Sequence, residues 1–347
     1  MKKIIALVLA LVMALSLVAC GEKGPKTAEY KLGMGVVLNM DSSKAENAQV
    51  DATVAAVALD AEGKIVACRI DVAQSKMAVV GGAVDTAATF KTKMELGDAY
   101  GMAGKVDNDG DGVMLEWYEQ AKAFEEYVVG KTAADVKAIE TTEAGGHMIA
   151  VDTELLSAGC SMQITDFIAA VAKACEDEQG QSFSAAEFKL GVAAATVANE
   201  STAAAADKDG EVKMYTDYAA VAVDGEGKIL AAVTDATQPK ILVNTMGDIV
   251  ETSFQATKRE LKEGYNMATY GANMDNNGDG KVLEWYVQAD AFVKHVVGMT
   301  AADVTAMQTQ EVNGHLISVD EDLLSAGCTI QIGGMQTVIA NACGYAR

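Results

Sequence analysis

Along the chain, short runs of alternating apolar and polar residues give way to a helical period, and the switch occurs twice. Residues 31–38 and 189–197 are each read as a glycine-bearing opening strand. Residues 52–59 and 64–71 flank Asp60-Ala61-Glu62-Gly63, and residues 218–223 and 228–235 flank Asp224-Gly225-Glu226-Gly227. A glycine-bearing turn between alternating runs predicts a β-hairpin in each half. Charged helical pieces follow around 92–100 and 257–265, then strong helices over 115–129 and 283–297. Trp117 with Phe124, and Trp285 with Phe292, lie seven residues apart on one helical face, the place of core residues. Thr132 and Thr300 each precede Ala-Ala-Asp, an N-cap followed by an acid in the first turn of another short helix.

The two series are one pattern written twice. Between residues 114–139 and 282–307, 17 of 26 positions are identical. Glu29-Tyr30-Lys31-Leu32-Gly33 returns as Glu187-Phe188-Lys189-Leu190-Gly191. A period of domain size predicts two tandem units rather than a solenoid. The expected division is a signal at 1–19, a tether at 20–28, units at 29–176 and 187–347, and a polar linker at 177–186. Strands and helices are segregated within each unit. The fold class is therefore α+β, two tandem repeats, each an antiparallel sheet with packed helices.

The N-terminus changes the picture of where this fold works. Lys2 and Lys3 precede an apolar run from Ile4 to Val18, which is too short for a transmembrane span. Leu17-Val18-Ala19-Cys20-Gly21 resembles a bacterial lipoprotein signal, which implies acylation of Cys20 and a membrane partner reached through that lipid anchor. The expected location is extracytoplasmic. A net charge of −22 repels phosphate backbones, so no nucleic-acid partner is expected. Such a charge suits cations, and equally it suits plain solubility.

Two aspartate loops carry the sharpest candidate chemistry. Asp107-Asn108-Asp109-Gly110-Asp111-Gly112 and Asp275-Asn276-Asn277-Gly278-Asp279-Gly280 place oxygens at positions 1, 3 and 5 and glycine at 6. Each resembles the first half of an EF-hand calcium loop, in which alternate side chains converge on one hard cation. The bidentate acid of position 12 is replaced by Tyr118 and Tyr286, and Glu116 and Glu284 are the nearest shared acids. The candidate calcium ligands are thus Asp107, Asp109, Asp111 and Glu116, with Asp275, Asn277, Asp279 and Glu284. The alternative is a polar Asx/Gly turn with no ion.

A repeated phrase near the end of each unit, Leu-Leu-Ser-Ala-Gly-Cys, admits three readings. Cys160, Met162 and Ile164 alternate with Ser161 and Gln163, which predicts a short strand, and a helix follows to Cys175. A strand antiparallel to that helix brings Cys160 to Cys175 and Cys328 to Cys343, giving one disulfide per unit. If residues 160–164 form a loop instead, the cysteines stand at opposite ends of the helix and cannot bond. Packing alone, through small residues, is the third reading. Cys68 has no counterpart and reads as a core thiol.

The GKI hairpin, the Ala-Gly-Cys-Ser161 or Ala-Gly-Cys-Thr329 segment and the closing helix together resemble the small FMN-binding domain. That family occurs in subunits of sodium-pumping NADH–quinone reductases and in surface electron-transfer lipoproteins. The resemblance implies FMN attached by a phosphoester at Ser161 and Thr329. Ala and Cys replace the Ser and Ala of the family motif, and its aspartate is missing. His147, His295 and His315 form no metal-ligand set in sequence, and no hydrolase constellation or phosphate loop appears. The expected function is binding of flavin or another small ligand, with electron carriage outside the membrane. The alternative is a calcium-stabilised interaction protein with a surface protein partner and no cofactor.

Overall fold

The computed structural model describes residues 27–347 except 255, 268, 270–275, 277 and 279. The signal segment and Cys20 lie outside the described residues.

The first half opens with three long antiparallel strands: β1 (Ala28–Asn39), β2 (Asn47–Leu59) and β3 (Ile65–Ala78). A short helix α1 (Lys93–Leu96), the helices α2 (Trp117–Tyr127) and α3 (Ala133–Lys137), and a hairpin of β4 (Thr141–Ala144) and β5 (His147–Ala150) come next. The helices α4 (Thr153–Ser157) and α5 (Thr165–Cys175) close it. Strand β6 (Gln181–Ala185) then pairs with β1, so the sheet order is β3-β2-β1-β6. The stretch expected to be a linker is therefore partly an edge strand. Its Phe183 and Ala185 are apolar at alternate positions and are buried.

The second half repeats the order with β7 (Lys189–Val197), a short β8 (Gly210–Val212), β9 (Tyr215–Val223) and β10 (Ile229–Thr237). Strands β11 (Lys240–Val243) and β12 (Ile249–Ser253) join β8 in a small sheet that the pattern of residues did not announce. Helices α6 (Lys258–Leu261), α7 (Trp285–His295) and α8 (Ala301–Ala306) follow, then a hairpin of β13 (Thr309–Val312) and β14 (His315–Ser318). Helices α9 (Glu321–Ser325) and α10 (Gly333–Gly344) end the chain. The architecture is α+β, built from small antiparallel sheets.

Alternation along the strands assigns each face a different neighbour. In β2, Ala55, Val57 and Leu59 point toward the helices with Trp117 and Phe124, while Ala52, Val54, Ala56 and Ala58 point away from them. In β9, Ala219, Val221 and Val223 face Trp285 and Phe292, while Tyr218, Ala220 and Ala222 point away. The two outward-pointing sets form one shared core. The sheets therefore pack face to face with helices outside, a four-layer sandwich. Alanine at most of these positions lets the sheets approach closely.

On its helix-facing side, β1 carries Gly33 and Gly35. A Cβ on Gly33 would lie 2.0 Å from the Ala174 carbonyl oxygen of α5, and one on Gly35 would lie 2.2 Å from that of Ala170. Gly191 stands in the same relation to Ala342 of α10, also at 2.0 Å. The glycine in each opening strand is what seats the closing helix.

The phrase before that helix folds differently from the expected strand. Residues 160–164 are irregular, and Cys160, Ser161, Met162 and Ile164 are all buried, so alternation does not sort the two faces. Side chains take the place of a strand partner. Gln120 of α2 accepts from both Ser161 N and Met162 N at 3.1 and 3.0 Å, and Asn108 Nδ2 donates to Ser161 O at 2.8 Å. In the second half Gln288 accepts from Thr329 N at 2.8 Å, and Asn276 donates to Thr329 O at 2.9 Å. The cysteines consequently stand at opposite ends of helices of 11 and 12 residues. About 15 Å of helix separates each pair, far beyond a disulfide's reach. The expected Cys160–Cys175 and Cys328–Cys343 bonds are corrected: with Cys68, all four are free thiols. Burial pushes Cys160 and Cys328 up to about 12, which leaves them unreactive. Denatured without reductant, the chain from Thr27 to Arg347 should titrate five thiols with a colorimetric reagent. A count of one would restore the two bonds.

Candidate paired ligand cavities

Each half has a cavity at the same place, between the end of its sheet and the start of its closing helix. Their volumes are about 430 Å³ and 440 Å³. The walls correspond position by position: Thr53 with Asp217, Lys93 with Lys258, Trp117 with Trp285, and Gln163 with Gln331. Strand register supports the first pairing, since Val37 lies opposite Thr53 and Ala195 opposite Asp217 in the two sheets.

The lysines are placed by a chain of local causes. Thr92 caps α1 by accepting from Glu95 N at 3.2 Å, and Glu95 returns the favour at Thr92 N at 2.9 Å. This capping box satisfies helix-end donors and fixes the next residue, Lys93. Asp71 of β3 reinforces it, since its Oδ1 accepts from Met94 N at 3.2 Å and from Val72 N at 2.7 Å. The second half repeats this with Thr257, Glu260 and Asp235, whose Oδ1 accepts from Arg259 N at 3.0 Å and Ala236 N at 2.7 Å. Burial pushes both Asp71 and Asp235 up to about 6, against the pull of those N–H groups.

So placed, Lys93 Nζ lies 4.9 Å from the Tyr100 ring centre and 5.4 Å from that of Trp117. Lys258 Nζ lies 4.9 Å from Tyr265 and 5.1 Å from Trp285. Each ammonium is held over two rings by cation–π attraction, a fixed charge beside the cavity. The tryptophans are 2% and 5% exposed, so they serve the core and offer the cavity little more than an edge.

A carboxylate lines the same cavity as each lysine. Burial raises the Asp166 carboxyl, and the Asp51 charge adds to this while Lys93 opposes it. Burial likewise raises Asp217, with Lys258 opposing. Neither Asp166, Asp217 nor the lysines stood out in the sequence. The signal available was the repeat itself, since Lys93 and Lys258 coincide beside the repeated capping residues Thr92 and Glu95, Thr257 and Glu260.

The hydroxyls expected to carry flavin sit behind the cavity wall. Ser161 and Thr329 are 1% and 4% exposed, and Thr329 Oγ1 donates to Gln288 Oε1 at 3.2 Å. In the first half their neighbours Met162 and Gln163 line the cavity instead.

The first aspartate loop gathers three of its four expected ligands. Carboxylate oxygens of Asp107, Asp109 and Asp111 lie within 4.8 Å of one another. Gly110 N and Gly112 N donate to Asp107 at 2.8 and 3.2 Å, which curls the loop. Burial raises Asp109, and the charges of Asp111 and Asp107 raise it further. Glu116 is not in this group. It caps α2, and its two oxygens accept from Ala103 N and Met102 N, both at 3.0 Å. Against the upward push of burial, those N–H groups and that of Trp117 hold Glu116 below its ordinary range. Glu284 accepts in the same way from Met267 N at 2.9 Å. Asp275, Asn277 and Asp279 lie outside the described residues. Asn108, inside the first loop, ties it to the Ser161 backbone and also lines the cavity.

No family model matches the chain, and no solved structure matches it. A chlorophenol reductase of Desulfitobacterium hafniense is 30% identical over 130 residues, which covers 33% of this chain and 38% of that protein. The chain thus spans well under half the length of that relative.

Proposed function

We propose that this protein is a lipid-anchored, extracytoplasmic binding protein whose duplicated halves each hold one small ligand, with flavin as the leading candidate. The observation that carries this reading is the pair of equivalent cavities, each with a fixed ammonium and a carboxylate in a partly apolar wall. Two cavities of one volume at one place in the fold suit a ligand better than they suit a packing defect. The similarity to a reductase is consistent with redox use, and electron carriage outside the membrane is the role that a bound flavin would serve. Because Ser161 and Thr329 are buried behind the wall, the flavin is proposed to bind without a covalent link.

Riboflavin titrated into the chain from Thr27 to Arg347 should bind at two sites with quenching of its fluorescence. An absence of binding up to millimolar concentration would remove the flavin reading. A second proposal rests on the convergence of Asp107, Asp109 and Asp111, a calcium brace that holds the loop against the cavity. Millimolar Ca²⁺ should raise the melting temperature while Mg²⁺ raises it less, and Asp107→Ala, which removes an oxygen of the first loop, should shrink the difference.

A further inference from the structure

The two cavities reach the same charge from opposite walls. In the second half the carboxylate comes from the sheet, at Asp217, and the facing helix position is Gly334. In the first half the sheet position is Thr53 and the facing helix position is Asp166. The exchange is compensated in space. A Cβ built on Gly334 would lie 2.1 Å from Asp217 Oδ2, so the Asp217 carboxylate fills the place where a side chain of residue 334 would begin. An acid at both positions would collide, and each half has one acid at this pair of positions.

A carboxylate kept at one spot while its donor wall changes is retained for what the carboxylate does there. Support of the helix N-terminus is one use that both arrangements share. That use alone does not explain why the acid shares a cavity of ligand size with a lysine. In each half the acid and the lysine line one cavity with opposite hydrogen-bonding capacity: the carboxylate only accepts and the ammonium only donates. A second acid also lines each cavity, Asp51 in one and Glu200 in the other, so two carboxylates accompany one lysine. A doubly charged phosphate is disfavoured by that balance.

We propose that Asp166 and Asp217 are equivalent ligand-reading residues, which receive an N–H group that the ligand carries beside an oxygen acceptor. The oxygen is taken by Lys93 or Lys258. The N–H belongs either to an imide edge, as in a flavin ring, or to an ammonium, as in an amino acid. This inference rests on the reading of the cavities as ligand sites, and it adds the chemistry by which they select.

The test is isothermal titration of the chain from Thr27 to Arg347 with two matched pairs of probes. Riboflavin is set against 3-methylriboflavin, which lacks the imide hydrogen, and glycine against glycine betaine, which lacks the ammonium hydrogens. The unmethylated member of at least one pair should bind at two sites, and its methylated partner at least ~10-fold more weakly, the loss of one hydrogen bond to a charged group. Asp217→Thr should lower the stoichiometry from two to one, and Asp217→Thr combined with Gly334→Asp should return it to two. Asp217→Leu, which keeps the branched shape and offers no acceptor, repeats the test where the threonine variant fails to fold. Two sites surviving in a folded Asp217 variant, equal binding within both pairs, or no binding by any probe overturns the proposal. Glycine binding without riboflavin binding leaves the carboxylate assignment standing and removes the flavin reading alone.

Discussion

Valine in place of Gly191 is expected to lower the unfolding free energy by about 3 kcal/mol, and Gly33→Val to do the same in the other half. The cause is steric. The Ala342 carbonyl oxygen lies 2.0 Å from the place that a Cβ on Gly191 would take, and backbone cannot swing aside as a flexible side chain can. The helix must lift, and Val338, Ile339 and Ala342, which it buries against the sheet, lift with it. Urea denaturation followed by tryptophan fluorescence measures the effect. Gly225→Ala is the control, because nothing lies within 4 Å of its added Cβ and it changes a turn residue. Unchanged midpoints for Gly191→Val would show that the helix is not seated by this contact.

Stability should fall as pH rises from 4 to 7, and Asp71 and Asp235 should each contribute to the fall. Both are fully buried or nearly so, and burial raises each from 3.8 to about 6. A carboxyl whose folded value exceeds its unfolded value binds its proton more tightly in the native state. Its contribution is therefore complete below about pH 4 and is lost as pH passes through about 6. A rise of this size corresponds to about 3 kcal/mol for each aspartate. Asp71→Asn removes one titration, so its stability relative to the parent chain should shift in its favour by about that amount between pH 4 and 7. Urea midpoints at the two pH values give the difference. A constant gap between variant and parent would mean that Asp71 titrates normally.

Much of the fold was legible in the sequence because period and turn chemistry are local. The β2–β3 hairpin, the helix from Trp117 and the capped helix after Thr132 each announce themselves within a dozen residues. The phrase at 160–164 misled for a physical reason. Its alternation suggests a strand, but the hydrogen bonds that satisfy its backbone come from Gln120 and Asn108, which are 41 and 53 residues away. No local rule anticipates a carboxamide standing in for a strand. Glu116 is the acid nearest the place where a calcium loop needs one, but its oxygens close a helix cap. The cavities needed the fold, because Lys93, Trp117 and Asp166 meet only once the sheet and helices have packed. Repetition was the one sequence signal that reached across such distances, and it reached Lys93 and Lys258 but not Asp166 and Asp217, where the two halves disagree letter by letter and agree in space.

The alanine-lined contact between the sheets has a consequence for how such a chain evolves. A half released from its partner would present Ala52, Val54, Ala56 and Ala58, or Tyr218, Ala220 and Ala222, as a bare apolar sheet face, which invites aggregation. The gene segment for one half is therefore not a tradeable module, although each half contains a complete cavity. Either half expressed alone should aggregate unless a second copy covers that face, which size-exclusion chromatography of residues 27–176 would show.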